Sequence, residues 1–523
     1  MNKKEYIFGA NILENLTTGM YQDSKVIYRE YIQNACDQID KAIQSGLLRH
    51  GEGIIEIWLD HQSRTISIED NATGIPAKDF QRVLGNIADS DKEIGKDKGF
   101  RGIGRLCGLA YCKEVVFTSK AKGEDVISIM RCDAKKMRQL IFENGKRQKL
   151  TASEVLHQIN KFSVEPTSEI DEHYFKVELI GINDENTDLL NKEEIRDYLS
   201  FVAPIPYQNT FIFRTTIYEH AEKLMLPIDE YTIKLDGKQL FKNFRTTLKK
   251  SDYTNYDEVF NIECIDFLDD NGVLFAWMWV GLTKFTNAIP RVNKMRGIRL
   301  RKENIQIGGE DALQKLFKED RGNSYFVGEV FAISSDLVPN SQRDYFNENP
   351  MRAYFELKLR RFFNEELHKL YYDGSAVNSA IKKITTYEEK HAEFVEKQKN
   401  GSFVSEDHKD NELKKLEKAK EEAASAKKRI ERVKEKASEK PDGLMEKVIK
   451  RIEDDLPPKL SVKNLPQDKE NYKQKRRTDN PRLSSFSKRE RKLISKIFDI
   501  IVSATDSKTS EAIICKIEDG LLQ

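Results

Sequence analysis

The segment Tyr28–Asp40, YREYIQNACDQID, carries Glu30, Asn34 and Asp37 at spacings of four and three. On a helix that spacing places all three side chains on one stripe. Val26, Ile27, Tyr31, Ile32, Ala35 and Ile39 cover much of the remaining circumference, so the stripe belongs at a buried or half-buried seam. The alternative is a solvated stripe with an intrahelical hydrogen bond. In ISIEDNATGIP a strand ends at Asp70 and passes into a glycine-containing turn. A carboxylate at a strand end can accept from an exocyclic amino group, or it can serve only the turn. In KGFRGIGRLCGLAYC, Gly99, Gly102 and Gly104 precede an apolar helix. Glycines allow close backbone approach, and successive N–H groups at a helix start make an anion site suited to a triphosphate. No dinucleotide-type strand precedes this run and no GK[ST] closes it, which excludes the two common phosphate loops.

These residues need elements to position them. From residue 6 to about 179, GIIEIWLD, RTISIED, KEVVFTSK and YFKVELIG have strand alternation among helical segments, a mixed α/β layer fold. From about 190 to 375 a second α/β region follows, with strand-like FIFRTTIY, YTIKLDG, GVLFAWMWVG and YFVGEVFAI and then the helical MRAYFELKLRRFFNEELHKLYY. After 378 the composition shifts to Lys, Glu and Ala, and Leu416, Ala419, Ala423, Ala426, Ile430, Val433 and Ala437 follow a coiled-coil 3-4 spacing. The expected product is a helical hairpin or stalk, or else a single solvated helix. Residues 454–485 are rich in proline and charge and read as a linker; Lys473, Lys475, Arg476 and Arg477 are candidate phosphate contacts. Ser487 and Glu490 form a capping-box start for a last pair of helices, too small to fold alone and so expected to dock on a second copy or a partner.

A chain of 523 residues exceeds one core, and its net charge of +1 carries no global nucleic-acid signature. Six scattered cysteines without a CxxC pair argue against zinc and for a reducing compartment. Without an apolar run of membrane length, a cytoplasmic location and no membrane partner are expected.

The order of the motifs, E-x-x-x-N-x-x-D, D-x-x-x-G and G-x-x-G-x-G within about one hundred residues, resembles the GHKL ATPases with the Bergerat nucleotide-binding fold. Within them the likeness is to the heat shock protein 90 chaperones. FGANILENLTTGMYQDSKVIYREYIQNACDQIDK is similar to their opening two helices, and GFRGIGRLCGLAYCKEVVFTSK to their lid-to-strand segment. The resemblance implies an α+β two-layer sandwich over 1–185 that binds ATP and Mg²⁺. It further implies an α/β middle domain over 190–375, followed by a helical coiled-coil region over 378–453, the 454–485 linker and the 486–523 helical pair.

The resemblance also implies roles. Glu30 is the general base toward water, Asn34 a Mg²⁺ ligand through its amide oxygen, and Asp37 a support. Arg29 is an arginine that can hold the base out of action. Asp70 accepts from the adenine amino group, with Gly74 against the base. Gly99, Gly102 and Gly104 wrap the phosphates, with Lys92 nearby. SSDLVPNSQRDYF is similar to the middle domain's catalytic loop, making Asn340 a nucleotide contact and Arg343 an arginine finger. Lys294 and Arg296 in RVNKMRGIRLRK are either phosphate contacts or part of a solvated edge strand. Ala72, Val83, Asp89 and Phe175 depart from the family pattern. Alanine tolerates positive φ poorly, so an altered turn at Ala72 is expected. The implied activity is a Mg-ATP-hydrolysing clamp, homodimeric through its C-terminal helices and acting on a protein client or effector. Two alternatives stay open: a MORC- or MutL-like nucleic-acid clamp and a non-hydrolysing ATP-sensing scaffold.

Overall fold

The computed structural model describes residues 7–17, 19–20, 23–87, 102–144, 150–439, 443–455 and 486–521. Asp89, Lys92, Gly99 and the basic cluster 473–477 lie outside the described residues. The chain divides into two units, Met1–Thr283 with Ala288–Glu365, and Lys284–Asn287 with Glu366–Gln523.

The first unit opens with two helices, Asn11–Thr17 and Val26–Gln44, and its first sheet is built of β1 (Ile54–Asp60), β2 (Thr65–Asp70), β3 (Glu114–Lys120), β4 (Val126–Asp133), β5 (Asn160–Pro166), β6 (Tyr174–Ile180), β7 (Thr232–Leu235) and β8 (Lys238–Gln239). They form one sheet in the order β5-β4-β3-β6-β2-β1-β7-β8. Only β1 and β7 run parallel. Alternation in β2 turns Ile66, Ile68 and Asp70 inward, where the isoleucines join Tyr31, Ala35 and Ile39 of the helix in one core. The other set of side chains carries charge: Glu69 stands opposite Lys176, and Lys234 reaches Glu56 at 2.9 Å. This is a helix layer on a largely antiparallel sheet, the α/β architecture expected. Residues 232–239, which sequence groups with the second region, lengthen this first sheet instead.

The same unit holds β9 (Thr247–Lys249) paired with β10 (Asn255–Glu258). It also holds a five-stranded sheet of β11 (Asn261–Leu268), β12 (Leu274–Leu282), β13 (Gly297–Lys302), β14 (Ile305–Ile307) and β15 (Val327–Ala332), ordered β11-β12-β15-β13-β14. Two local expectations fail here. FIFRTTIY is not a strand: Arg214–Lys223 is a helix, burying Ile217 and Ala221 one turn apart. RVNKMRGIRLRK is not a solvated edge, because β13 lies between β15 and β14 with every residue buried. Its cations each have an acceptor: Arg299 has Gln306, Lys302 the Ile333 and Ser334 carbonyls, and Arg301 has Glu329 of β15, which also accepts from Tyr207 and Trp279, with Lys242 at 3.5 Å. Burial would raise the Glu329 carboxyl, but Arg301 and Lys242 outweigh it and hold the group down at about 2.

In the second unit, helices His368–Lys399 and Glu406–Ser438 pack against each other as a hairpin, with Lys383 facing Glu422 at 3.7 Å. Leu416, Ala423, Ala426, Ile430, Val433 and Ala437 are buried along it and Ala419 is half-buried, so the single solvated helix is excluded. Helices Lys488–Ala504 and Ser507–Leu521 follow, the first with the expected capping box at Ser487 and Glu490. Ile494, Phe498 and Ile514 cluster with Val404 at the hairpin turn. No helix among the described residues is long and apolar enough to cross a membrane.

Candidate functional site

The helix Val26–Gln44 buries its polar stripe: Glu30 is 8% and Asp37 3% exposed, with Asn34 half-buried. The solvated-stripe alternative therefore fails. A cavity of about 330 Å³ opens beside the stripe. Asn34, Asp70, Gly74, Val83, Gly102 and Gly104 line it, so five of the expected site residues converge from segments some seventy residues apart. Asp37 sits buried on the same helix but off the cavity wall.

Each wall residue has a local reason for its identity. Asp70 ends β2 facing inward; its Oδ1 accepts from the Ala72 N–H at 3.1 Å. Burial pushes its carboxyl up to about 8. Ala72 is not in the left-handed region, so the turn is formed without strain, and its carbonyl meets His173 Nδ1 at 2.8 Å. Gly74 has φ +62°, and a Cβ there would strike the Lys120 carbonyl; no other residue fits. Phe175 gives an apolar wall beside Phe117, with ring centroids 6.2 Å apart. Gly102, at φ +66°, leads into a 3-10 helix over Gly104–Ala110. Tyr31 pins that helix by donating to the Arg105 carbonyl at 3.0 Å and accepting from Gly108 N–H at 3.2 Å.

Glu30 links the cavity to the middle sheet's loop. Glu30 does not itself line the cavity, but a Cβ on Gly104, which does, would lie 2.5 Å from Glu30 Oε2, so that oxygen stands directly behind the wall at Gly104. Glu30 Oε1 faces Arg343 Nε at 3.5 Å and Arg29 Nε at 3.7 Å. Arg29 also donates to the Gln342 carbonyl at 3.1 Å. Arg343 is buried and has φ +54°, a conformation an arginine adopts only when its surroundings impose it. The imposing contacts are its N–H to the Asn340 carbonyl at 3.1 Å and its carbonyl to the Gly308 N–H at 2.9 Å. Asn340 itself turns to Asp344 and is not on the cavity wall. Arg343 reaches Glu30 but does not line the cavity. Lys294 and Arg296 do not line it either.

Gln38, Lys41, Asp79, Arg82 and Arg105 also line the cavity and were missed by sequence reasoning. Gln38 and Lys41 extend the stripe at i+4 and i+7 from Asn34, a signal that was available. The three cations give the wall a charge that suits phosphates, and Asp70 an acceptor that suits an amino group. The donor set fits a Mg-nucleotide.

Residues 23–165 match the family described as histidine kinase-, DNA gyrase B-, and HSP90-like ATPase. Chaperone protein HtpG of Helicobacter hepaticus is 30% identical over 134 residues, 22% of this chain and 22% of the relative. HtpG of Fusobacterium nucleatum is 31% identical over 142 residues, 23% of each. HtpG of Psychrobacter arcticus is 26% identical over 172 residues, 29% of this chain and 26% of the relative. The chain thus spans about a quarter of the length of the relatives it matches. With the cavity, its acceptor and the glycine-lined entry to the 3-10 helix in the same span, residues 23–165 form a GHKL-type ATPase domain resembling that of heat shock protein 90.

Proposed function

We propose that this protein is a Mg-ATP hydrolase that works as a molecular clamp, closing on a protein client or effector. The observation that carries the reading is the placement of Glu30, one oxygen behind Gly104 of the cavity wall and the other facing two arginines. Asp70 accepts from the adenine amino group, and Lys41, Arg82 and Arg105 attract the phosphates. Asn34 would hold Mg²⁺ through its amide oxygen, and the ion when bound neutralises phosphate charge.

Glu30 orients water and accepts its proton. Its Oε1 is turned to the guanidinium groups of Arg29 and Arg343, so the described arrangement is a resting one. Movement of Arg343 from Glu30 to the terminal phosphate would release the base and stabilise the transition state together. That coupling gives ATP a differential affinity for the closed state, which population shift requires.

A homodimer through the C-terminal helices belongs to the same proposal. Leu493, Ile497 and Ile500 are 61%, 44% and 66% exposed and fall at i, i+4 and i+7 of one helix, an apolar stripe suited to a second copy.

The test is nucleotide binding and Mg-dependent turnover in the full chain beside Arg343→Ala. The proposal expects binding in both and turnover only in the parent. Binding without turnover in the parent, with or without added partners, would make the protein an ATP-sensing scaffold.

A further inference from the structure

A second feature, in the middle of the first unit, shares no residue with the ATP cavity. Arg245, Lys249, Tyr253 and Lys294 line a groove of about 580 Å³ beside β9 and β10. The groove is built rather than incidental. Buried Asn293 accepts from the Lys249 N–H at 2.8 Å and donates to the Lys249 and Pro290 carbonyls at 2.8 and 3.0 Å. That ties the loop bearing Lys294 to β9. On the same wall the Arg245 N–H reaches Met295 Sδ at 3.1 Å.

The charges in it are uncompensated. No carboxylate lines the groove. Arg245 Nε donates to the Asn243 amide oxygen at 3.1 Å and Lys249 Nζ to that of Asn255 at 2.7 Å, both neutral acceptors. Among the described residues none of the three cations forms an ion pair, whereas Arg296, two residues from Lys294, faces Glu310 at 3.4 Å. Like charges gathered without counter-charge repel, a cost offset when a polyanion binds. Tyr253 is 71% exposed and has φ +62°, an unfavourable conformation for tyrosine that leaves its ring bare at the groove. Thr210, Thr246 and Thr247 add hydroxyl donors of the kind that contact phosphate and sugar oxygens.

We propose that this groove binds single-stranded nucleic acid, with Arg245, Lys249 and Lys294 on backbone phosphates and Tyr253 stacking on a base. An acidic polypeptide would satisfy the cations but give the ring no flat partner. A duplex would offer phosphates, but its bases are already stacked on one another.

The experiment is fluorescence anisotropy of the full chain with a labelled mixed-sequence single-stranded oligonucleotide over a salt series, without ATP, so that failure of the ATPase reading leaves it intact. The parent is compared with an Arg245→Gln, Lys249→Gln, Lys294→Gln triple variant and with Tyr253→Asn, since asparagine tolerates left-handed φ. Each single-strand phosphate contact contributes about 0.7 to the salt slope, so the triple variant should flatten it by about 2. Tyr253→Asn should weaken binding about tenfold with the slope unchanged. The proposal is overturned by absence of binding at low salt, or by a triple variant equal to the parent in affinity and slope. Equal competition by duplex or by polyglutamate would overturn it too.

Discussion

Asp70 shows how one buried side chain sets a pH dependence. Its folded pKa of about 8 lies above the unfolded value near 4, so its contribution to stability is complete below about pH 4 and is lost as pH rises through 8. An adenine amino donor favours the ionised form, so ATP binding should release part of a proton near neutrality and tighten toward about pH 9. Calorimetry in two buffers of different ionisation enthalpy measures the released proton, and Asp70→Asn should abolish it. Arg343 permits a separation of backbone from side chain. Arg343→Ala and Arg343→Gly both remove the guanidinium, but glycine accepts φ +54° and should be the more stable by about 1 kcal/mol. Equal melting temperatures would show that the loop carries no strain. The stripe Glu30, Asn34, Asp37 and the strand-end Asp70 were legible because helix and strand periods fix which residues share a face. Asp37's place off the cavity and the Ala72 turn were not, since both depend on packing against distant segments.

At the scale of elements, non-local partners decided where sequence reading failed. The cations of β13 look like a solvated edge because their acceptors are set by the fold; Glu329, which holds Arg301, is nearly thirty residues away on β15. Glu329→Gln should destabilise the first unit by about 3–5 kcal/mol, since it leaves buried Arg301 and Lys242 without their charge partner. Because the Glu329 pKa is depressed, the stability it supplies is present above about pH 4 and is lost as pH falls toward 2. The helical hairpin was legible from its 3-4 spacing, which is purely local. Ile430, 2% exposed on that seam, should cost about 2–4 kcal/mol on change to alanine, read by denaturant unfolding. A smaller loss would mean that the neighbouring alanines collapse around the cavity.

For the whole molecule, dimerisation and nucleotide binding should be separable. Leu493→Lys with Ile497→Lys places charge on the exposed stripe and should give a monomer by sedimentation with ATP binding unchanged. A dimer that survives would assign its interface elsewhere. The ATPase domain was readable from motif order, whereas the groove at Arg245 and Tyr253 was not, because three segments assemble it only in the fold. The proposed hydrolysis stands on Glu30 as the general base. Its most direct test is steady-state Mg-ATP hydrolysis by Glu30→Ala beside the parent, with ATP affinity measured on the same samples. Turnover is expected in the parent, with its loss by about a hundredfold or more in the variant and affinity within a few-fold. Turnover in Glu30→Ala equal to that of the parent would contradict it.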